Sequence, residues 1–327
     1  MDTERIERRL KLHDLRVLMS VVEAGSMSKA AQRLATSQPA VSRAIADIEH
    51  SLGVRLLDRS PQGIVPTPYG HALIKRSVAV FDELRLGVKD LEFLADPTAG
   101  EVRIAAPIAL STGFVAEAID RLTRRHPGVV CHLTVDESPR VYRRLEEREV
   151  DLAIAFIGEP MAEDRMEAQL LYTDPLLVVA GAKNPLSRRR KVALADLINE
   201  PWILPPSGNL LATAAANSFR AAGLRPPNVR VVSTSAPVRL ALVAKGRFLT
   251  VSTKSVFRFA GRDMAIRALP IHLPQTERPV GIVTLKNRTL TPVAQLFIDC
   301  ARAAAKPLAT GKSVSARGQQ FAKGHAE

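Results

Sequence analysis

One short segment near the N-terminus gathers side chains that can recognise the edges of nucleic-acid bases. Ser37, Gln38 and Pro39 are followed one helical turn later by Ser42 and Arg43. Positions three and four apart share a helix face, so an amide, a proline ring, a hydroxyl and a guanidinium point outward together. Such groups make bidentate hydrogen bonds and methyl contacts in the major groove of double-stranded DNA. The Ser37 hydroxyl also suits the helix N-cap, where free N–H groups attract a phosphate oxygen.

The apolar periodicity around this segment predicts the elements that position it. Gly25 is predicted to end the first helix, and Ser26 to cap the second. A tight turn then leads to a third helix, with Ala40, Val41, Ala44, Ile45 and Ile48 on its inner face. This is the pattern of a helix-turn-helix. The predicted ranges are helix 12–22, helix 27–34, turn 35–37 and helix 38–52.

Residues beyond the third helix predict a hairpin and then a long helix. Residues 54–66 have short apolar stretches around a Pro-Gln-Gly turn, which indicates a small β-hairpin or wing. A helix is predicted from after Pro68 to about Leu94, and its apolar residues repeat at a spacing close to that of a coiled-coil seam. We therefore expect this helix to dimerise. The seam positions are Ile74, Val78, Phe81, Leu84, Val88, Leu91 and Ala95.

The rest of the chain alternates between strand and helix patterns. Residues 96–100, which combine a proline with a glycine, are the predicted hinge before this part. Alternation of this kind predicts α/β lobes with mostly parallel sheets. The fold class is therefore α/β overall, with an N-terminal all-α winged helix-turn-helix. The predicted elements are strands 102–106, 129–135, 152–156, 176–180, 229–232 and 248–252, and helices 113–125, 139–148, 210–222, 236–245 and 292–304.

Composition narrows the class of partner. The chain has 46 Lys and Arg against 33 Asp and Glu, a net charge of +13, which favours a polyanionic partner such as nucleic acid or an anionic membrane. Residues 1–66 hold ten of these bases against eight acids, so net charge alone would misplace the binding site. Cys131 and Cys300 stand far apart without metal-ligand spacing. We expect them to be reduced, largely buried thiols, with neither a disulfide nor a metal site.

Several other classes of protein are disfavoured. The N-terminus lacks the apolar stretch of a secretory signal, and the apolar runs are too short to span a bilayer. We therefore expect a cytoplasmic protein without a membrane partner. The sequence contains no GxSxG, HExxH, P-loop or GxGxxG motif, and its seven histidines are scattered. We expect no catalytic residues and no cofactor, and hence that the protein is not an enzyme.

An ordered run of motifs resembles the LysR-type transcriptional regulators of bacteria. It consists of residues 15–60 (LRVLMSVVEAGSMSKAAQRLATSQPAVSRAIADIEHSLGVRLLDRS), VPTPYG at 65–70, GEVRIAAP at 100–107, RRHPGV at 124–129 and REVDLAIAF at 148–156. The resemblance adds Lys29, Arg55 and Arg59 to the expected DNA contacts, as groups that position phosphates. It implies a homodimer or homotetramer on an interrupted inverted repeat, with RNA polymerase as a further partner. A small-molecule effector is also implied.

The resemblance also implies a domain plan. A winged helix-turn-helix at 1–67 and a dimerisation helix at 68–95 precede the hinge. An effector domain similar to the type-2 periplasmic-binding-protein fold then spans 101–306, and 307–327 is a tail that we expect to be disordered. Its first lobe covers about 101–172 and 267–306, and its second lobe about 173–266. The effector is expected between the lobes.

Nine residues are predicted to line that cleft. Pro107, Ile108 and Ala109 stand where many relatives carry Ser or Thr that bind a carboxylate, so this chain departs from the family pattern there. The loss of these hydroxyl donors favours an apolar or aromatic effector, or none. The remaining candidates stand between a strand and a helix, where ordinary helix capping is the competing explanation: Ser138, Pro206, Ser207, Gly208, Thr234 and Ser235.

Two other classes of protein remain as alternatives. A solute-binding protein of transport would share the two lobes, but it would need export. An architectural DNA-binding protein would account for the basic charge, yet it leaves the α/β two-thirds of the chain without a role. Sequence-independent binding with a steep salt dependence would favour the architectural class.

Overall fold

The computed structural model describes residues 10–60, 63–158, 164–259 and 265–309, with only the backbone of residues 59 and 60. The chain divides into two compact units, between Val88 and Lys89. This division falls inside a long helix that begins at Pro68 and ends at Ala95. The predicted hinge at 96–100 is also shorter than expected, because a strand already begins at Ala99.

The first unit is a helix-turn-helix followed by an antiparallel hairpin, as the sequence predicted. Gly25 and Gly53 adopt the left-handed backbone conformation that ends a helix and favours glycine. The elements are α1 (Leu12–Ala24), α2 (Met27–Arg33), α3 (Gln38–Leu52), β1 (Leu57–Ser60), β2 (Gly63–Pro66) and α4 (Pro68–Ala95).

A single apolar core holds this unit together. Leu18 and Val21 from α1 pack against Val41, Ile45 and Ile48 from α3. Two details differ from the prediction. Ala40 is exposed instead of facing the core, because it lies in the first turn of α3. Ser26 stands at the N-cap of α2, but its side chain accepts no hydrogen bond there.

The second unit contains two five-stranded sheets, one in each lobe. The first lobe has the sheet order β4-β3-β5-β12-β6, and the second has β11-β7-β10-β8-β9. The strands are β3 (Ala99–Pro107), β4 (Gly128–Asp136), β5 (Leu152–Phe156), β6 (Met166–Asp174), β7 (Leu176–Gly181), β8 (Trp202–Leu204), β9 (Val229–Val232), β10 (Leu249–Thr253), β11 (Ile266–Ala268) and β12 (Arg278–Leu285).

Helices cover both faces of each sheet. In the first lobe, a π-helical turn at Ser111–Val115 separates two of the helices. Phe114, Leu122 and Phe297 pack on one face of its sheet. The core of the second lobe is built around Trp202, whose ring contacts Phe219 edge to face. The helices are α5 (Ile108–Leu110), α6 (Ala116–Arg125), α7 (Ser138–Glu146), α8 (Leu210–Ala221), α9 (Ala236–Ala244), α10 (Lys254–Phe259) and α11 (Pro292–Ala309).

The expectation of mostly parallel sheets is wrong. In the first lobe β12 runs antiparallel to both β5 and β6, and in the second β7 runs antiparallel to β10 and β11. The chain passes from the first lobe to the second between β6 and β7, and it returns to the first lobe at β12. None of these is joined to its neighbour by the βαβ crossover that enforces parallel pairing. The sequence prediction did not include β6, β8, β11, β12, α5 or α10.

The lobe boundaries also move by several residues. Strand β6 stays in the first lobe as far as Asp174. Strand β11 and the buried residues Leu269 and Leu273 belong to the second lobe, so the chain returns to the first lobe at β12 and not at residue 267. Helix α11 continues to Ala309, past the predicted end of the domain at 306. The rest of the predicted disordered tail, 310–327, lies outside the described residues.

Both cysteines are free, Cys300 buried and Cys131 half-buried. Among the described residues, no group of histidine, cysteine or acidic side chains could hold a metal ion. Within the same part of the chain, no helix is long and apolar enough to cross a bilayer.

Candidate functional site

The N-terminal end of α3 presents the predicted base-reading residues. Ser37 is the N-cap, and its hydroxyl oxygen accepts a 3.4 Å hydrogen bond from the backbone N–H of Ala40. Gln38, Pro39 and Arg43 are exposed, and Ser42 is half-buried. The structure therefore places four of these groups in the first two turns of one capped helix, at the positive end of its dipole.

A polar groove of about 420 Å³ lies between α3 and the wing formed by β1 and β2. Ser42, Glu49, Arg55 and Asp58 are among the residues that line it. Glu49 has a structural role there, because its carboxylate accepts hydrogen bonds from the backbone N–H groups of Leu56 at 2.7 Å and of Leu57 at 3.2 Å. These bonds hold the start of the wing against the helix.

The wing is tied to the rest of the unit by two further contacts. The N–H of Ile64 donates a 3.1 Å hydrogen bond to the carbonyl of Gly25. The hydroxyl of Thr67 donates to the carbonyl of Arg55 at 2.8 Å. The wing is therefore fixed at both ends of its hairpin relative to the helix-turn-helix.

The structure describes the side chains of two of the three phosphate-positioning candidates. Lys29 is exposed on α2, and Arg55 is exposed just before β1. The side chain of Arg59 lies outside the described part of the structure. The structure therefore describes two of the three side chains, one on α2 and one in the connection between α3 and β1.

The predicted seam on α4 divides into two halves. Ile74 packs against the helix-turn-helix core, and the guanidinium of Arg16 lies 4.7 Å from the centre of the Phe81 ring. Beyond these residues the stripe is open: Leu84, Val88 and Leu91 are 52%, 49% and 68% exposed. An exposed apolar row of this kind indicates a surface that another chain covers.

The cleft between the two lobes brings together five of the nine predicted effector residues. Its two adjoining cavities have volumes of only about 30 and 20 Å³, and one void of that size holds about one water molecule. The lobes are therefore closed on each other. The predicted residues in the cleft are Pro107, Ile108, Ala109, Ser138 and Thr234.

The other four predicted effector residues lie elsewhere. Pro206, Ser207 and Gly208 line a separate cavity of about 480 Å³ in the second lobe, beside α8 and β9. Ser235 lines neither the two cleft cavities nor this separate one. Its hydroxyl accepts a 3.4 Å hydrogen bond from the N–H of Val238 at the start of α9. The structure thus does not bring these four residues to the cleft.

The sequence reading missed a charged residue in the cleft. Arg239 lines both of its cavities, although it is only 5% exposed. Its Nη1 donates to the carbonyls of Ser233 at 2.8 Å and Thr234 at 3.1 Å. Burial lowers the pKa of Arg239, and the charge of Glu137 across the cleft opposes that shift. The one available signal was a lone base in the otherwise apolar α9.

The buried carboxylate of Asp174 takes part in the contacts that join the two lobes beside the cleft. The N–H of Ser255 donates to Oδ1 of Asp174, and the Thr253 hydroxyl donates to the carbonyl of Ala109 at 3.2 Å. Burial raises the pKa of Asp174 to about 6. Burial also raises the pKa of the neighbouring Tyr172, with a further contribution from the Asp174 charge.

Comparison with known families and proteins matches both units. Residues 12–71 match the model of the bacterial regulatory helix-turn-helix protein, lysR family. Residues 95–306 match the model of the LysR substrate binding domain. Together these matches include the helix-turn-helix, the wing and both lobes.

Two relatives similar in sequence over most of the chain are transcriptional regulators. The transcriptional regulator GbpR of Azospirillum brasilense is 31% identical over 91% of this chain and 88% of its own. The transcriptional dual regulator GltC of Bacillus subtilis is 29% identical over 89% of this chain and 96% of its own.

Two solved structures have the same fold at lower identity. Full-length CbnR complexed with its target DNA has a TM-score of 0.62 at 22% identity, covering 90% of this chain and all of its own. A full-length OxyR variant of Pseudomonas aeruginosa has a TM-score of 0.64 at 20% identity, covering 93% of this chain and 99% of its own. The chain belongs to the LysR family of transcriptional regulators, with a helix-turn-helix DNA-binding domain and a two-lobed effector-binding domain.

Proposed function

We propose that this protein binds one class of DNA sequence as a symmetric dimer and that a small molecule in the interlobe cleft modulates its effect on transcription. The observation that carries the DNA part is the exposed row of Gln38, Pro39 and Arg43 on the capped end of α3. An amide and a guanidinium at the tip of a major-groove helix discriminate between base pairs. The complex of the similarly folded CbnR with its target DNA supports this use of the fold.

Dimer formation accounts for the open stripe on α4. Leu84, Val88 and Leu91 would cover one another across a two-fold axis in a second copy of the chain. Two copies related in this way present two copies of α3, and each enters a major groove about 34 Å from the other. The expected site is therefore an interrupted inverted repeat. Further pairing through the lobes would give a homotetramer.

The cleft provides the means of regulation. Its lobes are closed around two voids that each hold about one water molecule, so a larger effector requires the lobes to part. A change in lobe closure alters the packing between subunits, and with it the DNA bend and the access of RNA polymerase. The protein would then act in the cytoplasm, as a regulator and not as an enzyme. The names of GbpR and GltC as transcriptional regulators support this proposal.

The experiment is selection of genomic DNA fragments by the purified full chain near physiological salt, followed by sequencing. Enrichment of a few fragments that share an inverted repeat is the expected result. Uniform, strongly salt-dependent retention without a shared motif would refute specific regulation in favour of architectural binding. Absence of retention would refute the DNA-binding proposal and favour the solute-binding class.

A further inference from the structure

Arg239 is a buried cation whose hydrogen-bonding capacity is only partly used. It stands in the first turn of α9, with 5% of its surface exposed. One terminal nitrogen, Nη1, is occupied by the carbonyls of Ser233 and Thr234. Among the described residues, neither Nε nor Nη2 donates a hydrogen bond. A guanidinium has five donors, so those on Nε and Nη2 remain unused in a residue that lines both cavities of the cleft.

The cleft offers this cation little compensation. Its other walls are mainly apolar, with Ile108, Ala109 and Leu211 shared by both cavities. Glu137 is the acidic residue that lines the cleft with Arg239, and it is itself exposed. A buried charge without a hydrogen-bonded counter-charge is costly, and a ligand that supplies one gains that energy on binding.

Hydroxyl groups line one of the cavities that Arg239 also lines. Thr112 from the first lobe and Ser252 from the second lobe line the cavity next to Arg239. Two further hydroxyls of that cavity, those of Thr250 and Thr253, already donate to backbone carbonyls, whereas Thr112 and Ser252 bring one hydroxyl from each lobe to the cavity that Arg239 lines. A cation with a free fork and neighbouring hydroxyls suits the two oxygens of a carboxylate or of another oxyanion.

We propose that Arg239 is the anion-binding residue of the effector cleft and that the effector carries a small oxyanion group. This inference rests on the proposed function, because it names the chemistry of the ligand at the same cleft. It also reverses the expectation drawn from Pro107, Ile108 and Ala109. Those residues lack hydroxyls, but a residue from the other lobe provides stronger donors.

The experiment measures the thermal unfolding temperature of the full chain with three sodium salts: acetate, sulfate and phosphate. Sodium chloride at equal ionic strength is the baseline, and acetamide is the neutral counterpart of acetate. At least one oxyanion is expected to raise the unfolding temperature saturably, because it binds only the folded protein. Acetamide is expected to have no such effect.

Variants then assign the site. Arg239→Gln is expected to weaken the saturable response by about tenfold or more in Kd, since it removes a charged hydrogen-bonding partner. Arg230→Gln removes the same charge from the exposed strand β9 and is expected to respond like the wild type. Arg239→Lys keeps the charge without the planar fork and is expected to be intermediate.

Three results would overturn the inference: no saturable response to any oxyanion, an equal response in Arg239→Gln, or an equal response to acetamide. Circular dichroism checks that each variant folds. If Arg239→Gln does not fold, the comparison of Arg239→Lys with the wild type decides.

Binding of the selected DNA is measured in parallel. Specific DNA binding without an oxyanion response would refute this inference alone, whereas an Arg239-dependent response without DNA binding would refute only the proposed regulation.

Discussion

The backbone N–H of Ser255 donates a 3.1 Å hydrogen bond to Oδ1 of Asp174. This bond joins the first turn of α10 in the second lobe to the last residue of β6 in the first lobe. Close packing accompanies it, because a Cβ added to Gly113 of the first lobe would lie 2.7 Å from the Cα of Val256. The side chain of Asp174 is thus enclosed where the two lobes meet.

Stability of the second unit should depend on pH through Asp174. Its pKa is about 6 when folded, against an ordinary value of 3.8, so the folded state binds more protons between these pH values. The contribution of Asp174 to stability is therefore fully present below about pH 4, falls as the pH rises to about 6 and is absent above that pH, a change on the order of 3 kcal/mol.

Asp174→Asn keeps an acceptor oxygen for Ser255 but cannot ionise. We expect the variant to lose this part of the pH dependence and to unfold at higher urea concentration than the wild type at neutral pH. Urea unfolding at a series of pH values measures the difference between the two proteins. An identical slope in both between pH 4 and pH 6 would contradict the assignment to Asp174.

A buried ion pair should be important for the first lobe. Arg288 donates to the carbonyl of Val150 at 2.6 Å and contacts Asp151 at 3.3 Å, and Asp151 also accepts from the N–H of Arg103 at 2.8 Å. Asp151→Ala leaves a buried cation behind, so we expect a loss of about 3–5 kcal/mol in unfolding free energy.

Urea unfolding measures that loss. Asp120→Ala, which breaks an exposed pair with Arg124, is the control and should change little. The double variant Asp151→Ala with Arg288→Met should be less destabilised than Asp151→Ala alone. A change in Asp151→Ala as small as that in Asp120→Ala would contradict the importance of the buried pair.

The attachment of the wing should depend on Glu49. Glu49→Ala leaves the N–H groups of Leu56 and Leu57 without their acceptor, at a cost of about 1–3 kcal/mol for each buried group left unpaired. We expect faster hydrogen exchange at these two amides and weaker DNA binding. Asp47→Ala, an exposed acid on the same helix, should alter neither. Unchanged exchange at both amides in Glu49→Ala would refute this role.

Specific DNA binding should depend on Arg43. Arg43 is exposed, so Arg43→Ala should leave the fold intact while it removes a contact worth about 1–3 kcal/mol of base discrimination. Gel-shift titration on a selected inverted repeat and on unrelated DNA measures both affinities. Arg76→Ala, an exposed arginine on α4, is the charge-matched control. Specific affinity within a few-fold of wild type in Arg43→Ala would reject the contact.

Self-association should depend on the open part of α4. Leu91→Ser removes a side chain that is 68% exposed in the single chain and covered in the proposed dimer. Burial of one leucine contributes about 1.5–3 kcal/mol, and a two-fold axis uses it twice, so we expect the dimer to dissociate at higher protein concentration. Sedimentation equilibrium measures this, with Glu92→Ser as the neighbouring control. Equal dissociation constants for both variants would place the interface elsewhere.

Local sequence signals determined the first unit almost completely. Gly25 and Gly53 end helices because a left-handed residue is needed there, and Ser37 caps the next helix through its own side chain. Each of these features depends on residues only a few positions apart. The family motifs and the alternation of strands and helices likewise indicated two α/β lobes, because those patterns are also local.

Only the tertiary structure decided how the cleft is assembled. Pro206, Ser207 and Gly208 follow a strand as Ser138 does, yet they line a different cavity, because the position of a strand in its sheet depends on distant partners. A lone arginine in an apolar helix is expected to be solvated. Arg239 is buried instead, because the closed lobes and the carbonyls of two preceding residues enclose it. Burial of a polar group depends on contacts far along the chain, which periodicity does not record.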